Sequence, residues 1–248
     1  VVLAKPAEQT SYCAYVVFKL LLKAGLPNQA ACLILGKGED IGPQLFSNNN
    51  LENIVFTGSL DTAKIIQKQL IDRPNIINLI AETGGLNCLI ADSTALTEHV
   101  VKDVVNSAFN SAGQRCSACR ILCIEENVYD KTLAMLEGAI DTLDIGNPEF
   151  LSTDIGPVID IRSKEKIINH IKNFSKIFQS KKVFTEGCFV PVTLIEISSL
   201  EEVKEEIFGP VVHIVSYKTR EIKNLCEDIN KLGYGLTLGI HSRIDNTI

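Results

Sequence analysis

Asn53-Ile54-Val55-Phe56-Thr57-Gly58-Ser59 runs from an apolar, β-branched strand pattern into a Gly-Ser turn. The helical pattern of Asp61–Ile71 and a further apolar run, Asn75–Ala81, follow directly. Strand, tight turn, helix and buried run in that order predict a parallel βαβ unit. Reading toward the N-terminus, the same rhythm recurs. Val1–Ala4 reads as a strand, and Tyr12–Ala24 as a helix with Val16, Val17, Leu20 and Leu21 on one face. Gly25 stands where a helix C-cap is expected, and Ala31–Leu35 reads as a strand that ends in Gly36-Lys37-Gly38. Three βα units in about 80 residues predict part of a doubly wound, nucleotide-binding α/β half.

Toward the C-terminus the elements lengthen. Cys88–Ala91 reads as a strand, and Leu96–Phe109 as a helix with an apolar stripe at positions 100, 101, 104, 105, 108 and 109. Ile121–Ile124 is a strand and Tyr129–Leu143 a helix, and the Gly- and Pro-containing stretch Asp144–Asp160 is a loop. Arg162–Phe174 is helical, and two strands are expected at 183–184 and at Val192–Ile197. Ser199 and Glu202 have capping-box spacing and predict a helix start. Val211–Tyr217, Ile222–Ile229 and Leu236–His241 complete a strand, helix and strand.

Composition narrows the function classes. A net charge of −6 over 248 residues, with no Lys/Arg-rich run, argues against nucleic acid as a partner. No apolar run approaches the roughly 18–20 residues of a membrane span, and no secretory leader is read. The eight cysteines are too irregularly spaced for a disulfide scaffold, and several (Cys13, Cys32, Cys88, Cys123) sit in apolar runs. A reducing, cytoplasmic location is the expectation. The chain opens inside a strand pattern and closes on a helix start signal at Asp245, so we expect a piece of a longer protein.

One cysteine stands apart. Cys116 lies in Asn110-Ser111-Ala112-Gly113-Gln114-Arg115-Cys116-Ser117, just after a helix and among turn-forming residues. Backbone donors or a neighbouring cation there would favour a reactive thiolate. The alternatives are a buried structural thiol, or a metal cluster formed by Cys116, Cys119 and Cys123. The cluster lacks a fourth ligand nearby and Cys123 belongs to an apolar strand, so no metal site is expected. The four histidines (His99, His170, His213, His241) show no ligand spacing.

Glu82-Thr83-Gly84-Gly85, with Cys116 placed 34 residues after Glu82, resembles the general-base and nucleophile motifs of the aldehyde dehydrogenase superfamily. Lys5-Pro6-Ala7-Glu8-Gln9-Thr10, Phe56-Thr57-Gly58-Ser59 and Glu205-Glu206-Ile207-Phe208-Gly209-Pro210 resemble its cofactor motifs, in order and in approximate spacing. Finer wording is similar to the L-glutamate γ-semialdehyde (pyrroline-5-carboxylate) dehydrogenase module of bacterial proline utilization A proteins. It lies in Ala81–Asn87, Ser111–Ala118 and Gly233–Asp245. The resemblance spans essentially the whole chain but only about half of such a module.

The resemblance implies a partial NAD-binding domain over residues 1–81 and a catalytic domain, cut short at its C-terminus, over 82–248. It implies Cys116 as nucleophile and Glu82 as general base. Lys5 and Glu8 would hold the adenine-side ribose, with Glu8 favouring NAD, while Gly58 and Ser59 would lie against the pyrophosphate. Glu206 would hold the nicotinamide ribose, Phe208 would brace the ring, and Ser117 would meet the substrate carboxylate. The partners implied are a small aldehyde and a second copy, or a complementing chain that supplies missing segments. The superfamily's oxyanion-stabilising Asn would lie upstream of Val1, and Ala63 stands where a Gly is common. A rival reading is therefore a chain that keeps the fold, and nucleotide binding, without turnover. A third, transfer of the acyl group to a thiol such as coenzyme A, is disfavoured by Glu82.

Overall fold

A parallel strand is buried on both faces only when neighbours flank it and helices cover it, and the two parts of this chain meet that condition differently. The structure, a computed structural model, describes residues 1–248 except Val183, Thr185 and Thr247. It divides into two units, Val1–Thr83 and Gly84–Ile248. Of the strand expected at 183–184, Val183 lies outside the described residues and Phe184 is in no strand.

The first unit contains β1 (Val2–Ala4), α1 (Ser11–Lys23), β2 (Ala31–Leu33), α2 (Gly38–Phe46), β3 (Asn53–Gly58), α3 (Leu60–Ile71) and β4 (Asn78–Thr83). All pairing is parallel, but it forms two separate two-stranded ladders, β1 with β2 and β3 with β4. The run at 75–81, expected to be buried, is not: Ile76 is fully exposed and Ile80 more than half so. No residue of α1 is buried, although its sequence is apolar on more than one face. Each strand has one neighbour, so one edge and much of each face stay open. Helix α2 was not expected, because Gly38, Gly42 and Pro43 are poor helix formers.

The second unit holds a six-stranded sheet in the order β10-β5-β6-β9-β8-β7. Its strands are β5 (Cys88–Ala91), β6 (Ile121–Glu125), β7 (Ile177–Gln179), β8 (Thr193–Glu196), β9 (Val211–Tyr217) and β10 (Leu238–His241). Five are parallel, and β7 closes one edge antiparallel to β8. The helices are α4 (Thr97–Phe109), α5 (Tyr129–Thr142), α6 (Ile161–Ile171) and α7 (Ile222–Lys231). Every residue of β5 and β6 is buried, which explains why they read as unbroken apolar runs. The predicted stripe of α4 turns inward at Val100, Val101, Val104, Ala108 and Phe109, and α5 contributes Leu136 and Ile140. Asp160 caps α6 through a bond from Ser163 N–H at 2.8 Å.

One expectation for the second unit needs correction, and one element was missed. The Ser199–Glu202 capping box forms, but it caps a single 3₁₀ turn, Leu200–Glu202, and no α-helix follows. Val203 is extended there, and Val203 and Ile207 are both drawn into the core from a non-helical segment. Strand β7 was not anticipated, since three residues are too few to show a period of two.

Leu136 is fully buried in this core, and Ile76 lies fully exposed in the first unit. Leu136→Ala should cost about 2–5 kcal/mol of stability, with the cavity as the cause. Ile76→Ala should change it by less than about 0.5 kcal/mol. Urea unfolding followed by circular dichroism checks both.

Candidate active site

Helix α4 must hand the chain to the start of β6, and the handover is made by a tight run of left-handed backbone. Ser111, Ala112 and Gly113 have φ of 57°, 54° and 67°. Two non-glycine residues there cost on the order of 1–3 kcal/mol each and persist only where the surroundings impose them. At Gly113 the reason is visible: a Cβ would stand 2.1 Å from the carbonyl oxygen of Gly209. The run turns the next residues outward. Cys116 and Ser117 are exposed, whereas Ala118, Cys119 and Arg120 on their C-terminal side are buried.

Two polar side chains fasten this loop. Asn87, just before β5, donates through its amide to the carbonyls of Cys116 (2.7 Å) and Ala118 (3.0 Å). Its own Oδ1 accepts from Thr237 N–H. Arg120, 1% exposed, donates to Gly113 O (2.7 Å), Arg115 O (3.0 Å) and Gly209 O (3.2 Å) and pairs with Glu206 Oε1 at 3.1 Å. Burial pulls the Arg120 pKa below its ordinary value, and the Glu206 carboxylate opposes that shift. Neither residue was singled out in the sequence. The available signal was a polar residue immediately preceding an all-apolar strand, in each case too large to bury without partners.

Glu206 and Phe208 lie on the other side of Arg120. The guanidinium carbon is 5.3 Å from the Phe208 ring centroid. The Glu206 carboxylate rests against the bare Cα of Gly84, where a Cβ would come within 1.6 Å of Oε2. Of the residues singled out in the sequence, the second unit thus carries Cys116, Ser117, Glu206 and Phe208, with Arg120 bonded to segments on both sides. The buried thiols differ in character from Cys116: burial raises Cys119 to about 12, and Cys123 also lies well above the ordinary thiol value, chiefly through its bond with Cys88. Among the described residues no group of three or more His, Cys, Asp or Glu side chains could hold a metal ion.

The first unit carries the rest. Lys5 and Glu8 follow β1 and pair at 3.2 Å, and Glu8 also accepts from Gly38 N–H at 2.8 Å. Its own backbone N–H, that of Gly38 and the Lys5 ammonium hold the Glu8 carboxyl below its usual pKa. Gly58 ends β3, and Ser59 is the N-cap of α3, accepting from Thr62 N–H. Glu82 is exposed at the end of β4, in register with Thr57. These residues therefore sit at or just past the carboxyl ends of parallel strands, where α/β folds bind ligands. Among the described residues no helix is long and apolar enough to cross a membrane.

Two histidines without an assigned role come together beneath the site. His213 Nδ1 lies 3.2 Å from Arg120 O, and the Nε2 atoms of His213 and His170 are 2.9 Å apart. Burial lowers His213 from 6.5 to about 4 and its neighbour His170 adds to the effect, while the hydrogen bond to the Arg120 carbonyl opposes it. The unfolded chain therefore takes up a proton that the native one refuses. The stabilising contribution is complete above about 6.5 and is lost as pH falls toward about 4. Urea midpoints should drop over that window, and His213→Gln should flatten the drop.

A family model for the aldehyde dehydrogenase family matches residues 1–248. The bifunctional protein PutA of Klebsiella aerogenes is 48% identical, over all of this chain and 20% of its own length. The 1-pyrroline-5-carboxylate dehydrogenase of Staphylococcus saprophyticus is 35% identical, over 95% of this chain and 47% of its own. Among solved structures, a bifunctional proline utilization A protein superposes with a TM-score of 0.95 at 43% identity, covering 99% of this chain and 25% of that one. The 1-pyrroline-5-carboxylate dehydrogenase from Thermus with bound NAD gives 0.87 at 29%, covering 99% and 49%. The chain thus spans about a fifth of the bifunctional relatives and about half of the single-function ones. Matched from its first residue to its last, the chain belongs to the aldehyde dehydrogenase family.

Proposed function

We propose that this chain carries the core of an NAD-dependent aldehyde oxidation, with L-glutamate γ-semialdehyde as substrate and L-glutamate as product. The observation that carries the proposal is the loop at 110–117, which exposes the Cys116 thiol while Asn87 and Arg120 hold the backbone on either side of it. The names of the relatives, PutA and 1-pyrroline-5-carboxylate dehydrogenase, support the substrate class.

The residues present fit a nicotinamide dinucleotide. The Glu206 carboxylate fills the space that a side chain at Gly84 would take, and it stays partly exposed, so it can accept from ribose hydroxyls. Lys5 and Glu8 offer a donor and an acceptor side by side, as vicinal ribose hydroxyls require, and the Glu8 charge disfavours a phosphorylated ribose. Gly58 and Ser59 lead into the N-terminus of α3, a favourable place for phosphate. NAD, when bound, supplies the hydride acceptor.

Cys116 attacks the aldehyde carbon as a thiolate, and the C–S bond forms as the carbonyl becomes an oxyanion. Loss of hydride from that carbon re-forms the carbonyl as a thioester on Cys116. Water, deprotonated by Glu82, then adds to the thioester, and the C–S bond breaks to release the carboxylate and the thiol. The role of Glu82 rests on its motif, and so does that of Ser117 as a donor to the substrate carboxylate. The cytoplasm is the compartment proposed, in keeping with eight free cysteines.

NADH formation from the semialdehyde, followed by absorbance, tests the proposal. Cys116→Ala should lower the rate by a factor on the order of a thousand or more; full activity in that variant, or NAD retention without turnover of the aldehyde, would overturn it. Gly84→Ala, which forces the Glu206 carboxylate aside, should raise KM for NAD while leaving Cys116 open to alkylation.

A further inference from the structure

The partners of Arg120 come from two segments far apart in the chain. Gly113 and Arg115 belong to the loop that carries Cys116, seven and five residues away. Glu206 and Gly209 lie 86 and 89 residues away, in the segment on which the ribose-holding role rests. Of these partners only Glu206 is ionised, and it alone balances the buried guanidinium. Its side chain is nevertheless 17% exposed, so a ligand can reach the same carboxylate. A purely structural arginine would need only to be satisfied, and nothing would require its counter-ion to stand open to ligand. The left-handed run at 111–113 also makes the loop depend on an external hold, because it is unfavourable by itself.

We propose that Arg120 is a positioning residue that couples the hold on Cys116 to the state of the Glu206 carboxylate. Hydrogen bonds from a sugar hydroxyl pair to Glu206 redistribute the carboxylate's attraction for the guanidinium. The guanidinium in turn shifts its grip on the carbonyls of Gly113 and Arg115, next to the nucleophile. Binding at one segment thereby adjusts the thiol at the other without any ligand touching Arg120. The inference rests on the function proposed above for its biological meaning, but its geometry stands apart from it.

The test reads the alkylation rate of Cys116 by iodoacetamide in the full chain, located by mass spectrometry, with no cofactor or aldehyde present. In Glu206→Gln the shape is kept and the charge removed, so the uncompensated guanidinium acts on the loop. Alkylation should quicken at least about twofold, the lower end of coupling between residues in one network. In an Arg120→Met background the same Glu206→Gln change should have no effect. An unchanged or slower rate in Glu206→Gln overturns the proposal, and so does an equal gain with Arg120 removed. Should Arg120→Met fail to fold, Arg120→Lys takes its place, with the Glu206 effect expected to shrink because an ammonium cannot bridge both segments. Alkylation needs no turnover. Coupling without NADH formation would sink the proposed reaction and leave this inference standing, and NADH formation without coupling would do the reverse.

Discussion

A guanidinium ion taken out of water must have its solvation replaced by the protein, and around Arg120 that requirement organises the residues of the site that the second unit carries. Three backbone carbonyls and one carboxylate supply it at the two terminal nitrogens, while the buried Nε has no hydrogen-bond partner among the described residues. Only a loop that doubles back sharply can aim the carbonyls of Gly113 and Arg115 at a single side chain, which is what the left-handed run achieves. Only a bare Cα at Gly113 lets that loop meet the Gly209 carbonyl, and only a bare Cα at Gly84 leaves room for the carboxylate. Removing any one partner would leave a buried charge short of compensation, which is a larger penalty than losing an ordinary contact. The glycines in these motifs are thus consequences of a charge whose importance the motifs themselves do not announce.

How much could be read in advance follows from the same physics. The second unit was legible because its central strands are buried on both faces and its helices on one, so continuous runs and 3.6-residue stripes appear in the sequence. The loop that carries Cys116 was legible as a turn, marked by the Gly-Gln-Arg-Cys wording. Asn87 and Arg120 were not, because their roles depend on partners up to 150 residues away that no local pattern reveals. The helix expected after Ser199 was misread for a related reason. Its cap signal is local and correct, but Val203 and Ile207 are needed in the core at a spacing that an extended segment meets.

The first unit shows the opposite imbalance. Its turns and caps are local and well formed: the Lys5–Glu8–Gly38 triangle, and the Ser59 cap with its partner Thr62. Its packing is sparse. Apolar residues including Val2, Tyr12, Val17, Leu20 and Ile71 stand exposed, far more than a soluble surface ordinarily carries in one region. Turn chemistry and caps are satisfied by neighbours in sequence, whereas covering a parallel ladder takes elements from elsewhere. The two properties are therefore free to part company, and here they do.

The strand order of the large sheet also dictates a timetable. β5 has β6 on one side and β10 on the other, and β10 is joined to it across 150 residues of chain at the Asn87–Thr237 bond. During synthesis β5 emerges well before β10, with an apolar face on both sides and one edge unpaired until β10 leaves the ribosome. At roughly 5–20 residues per second that wait lasts on the order of ten seconds. An uncovered parallel edge of this kind invites pairing with other chains. The arrangement that seats the loop carrying Cys116 so firmly in the finished protein thus leaves an edge open to other chains while the chain is nascent.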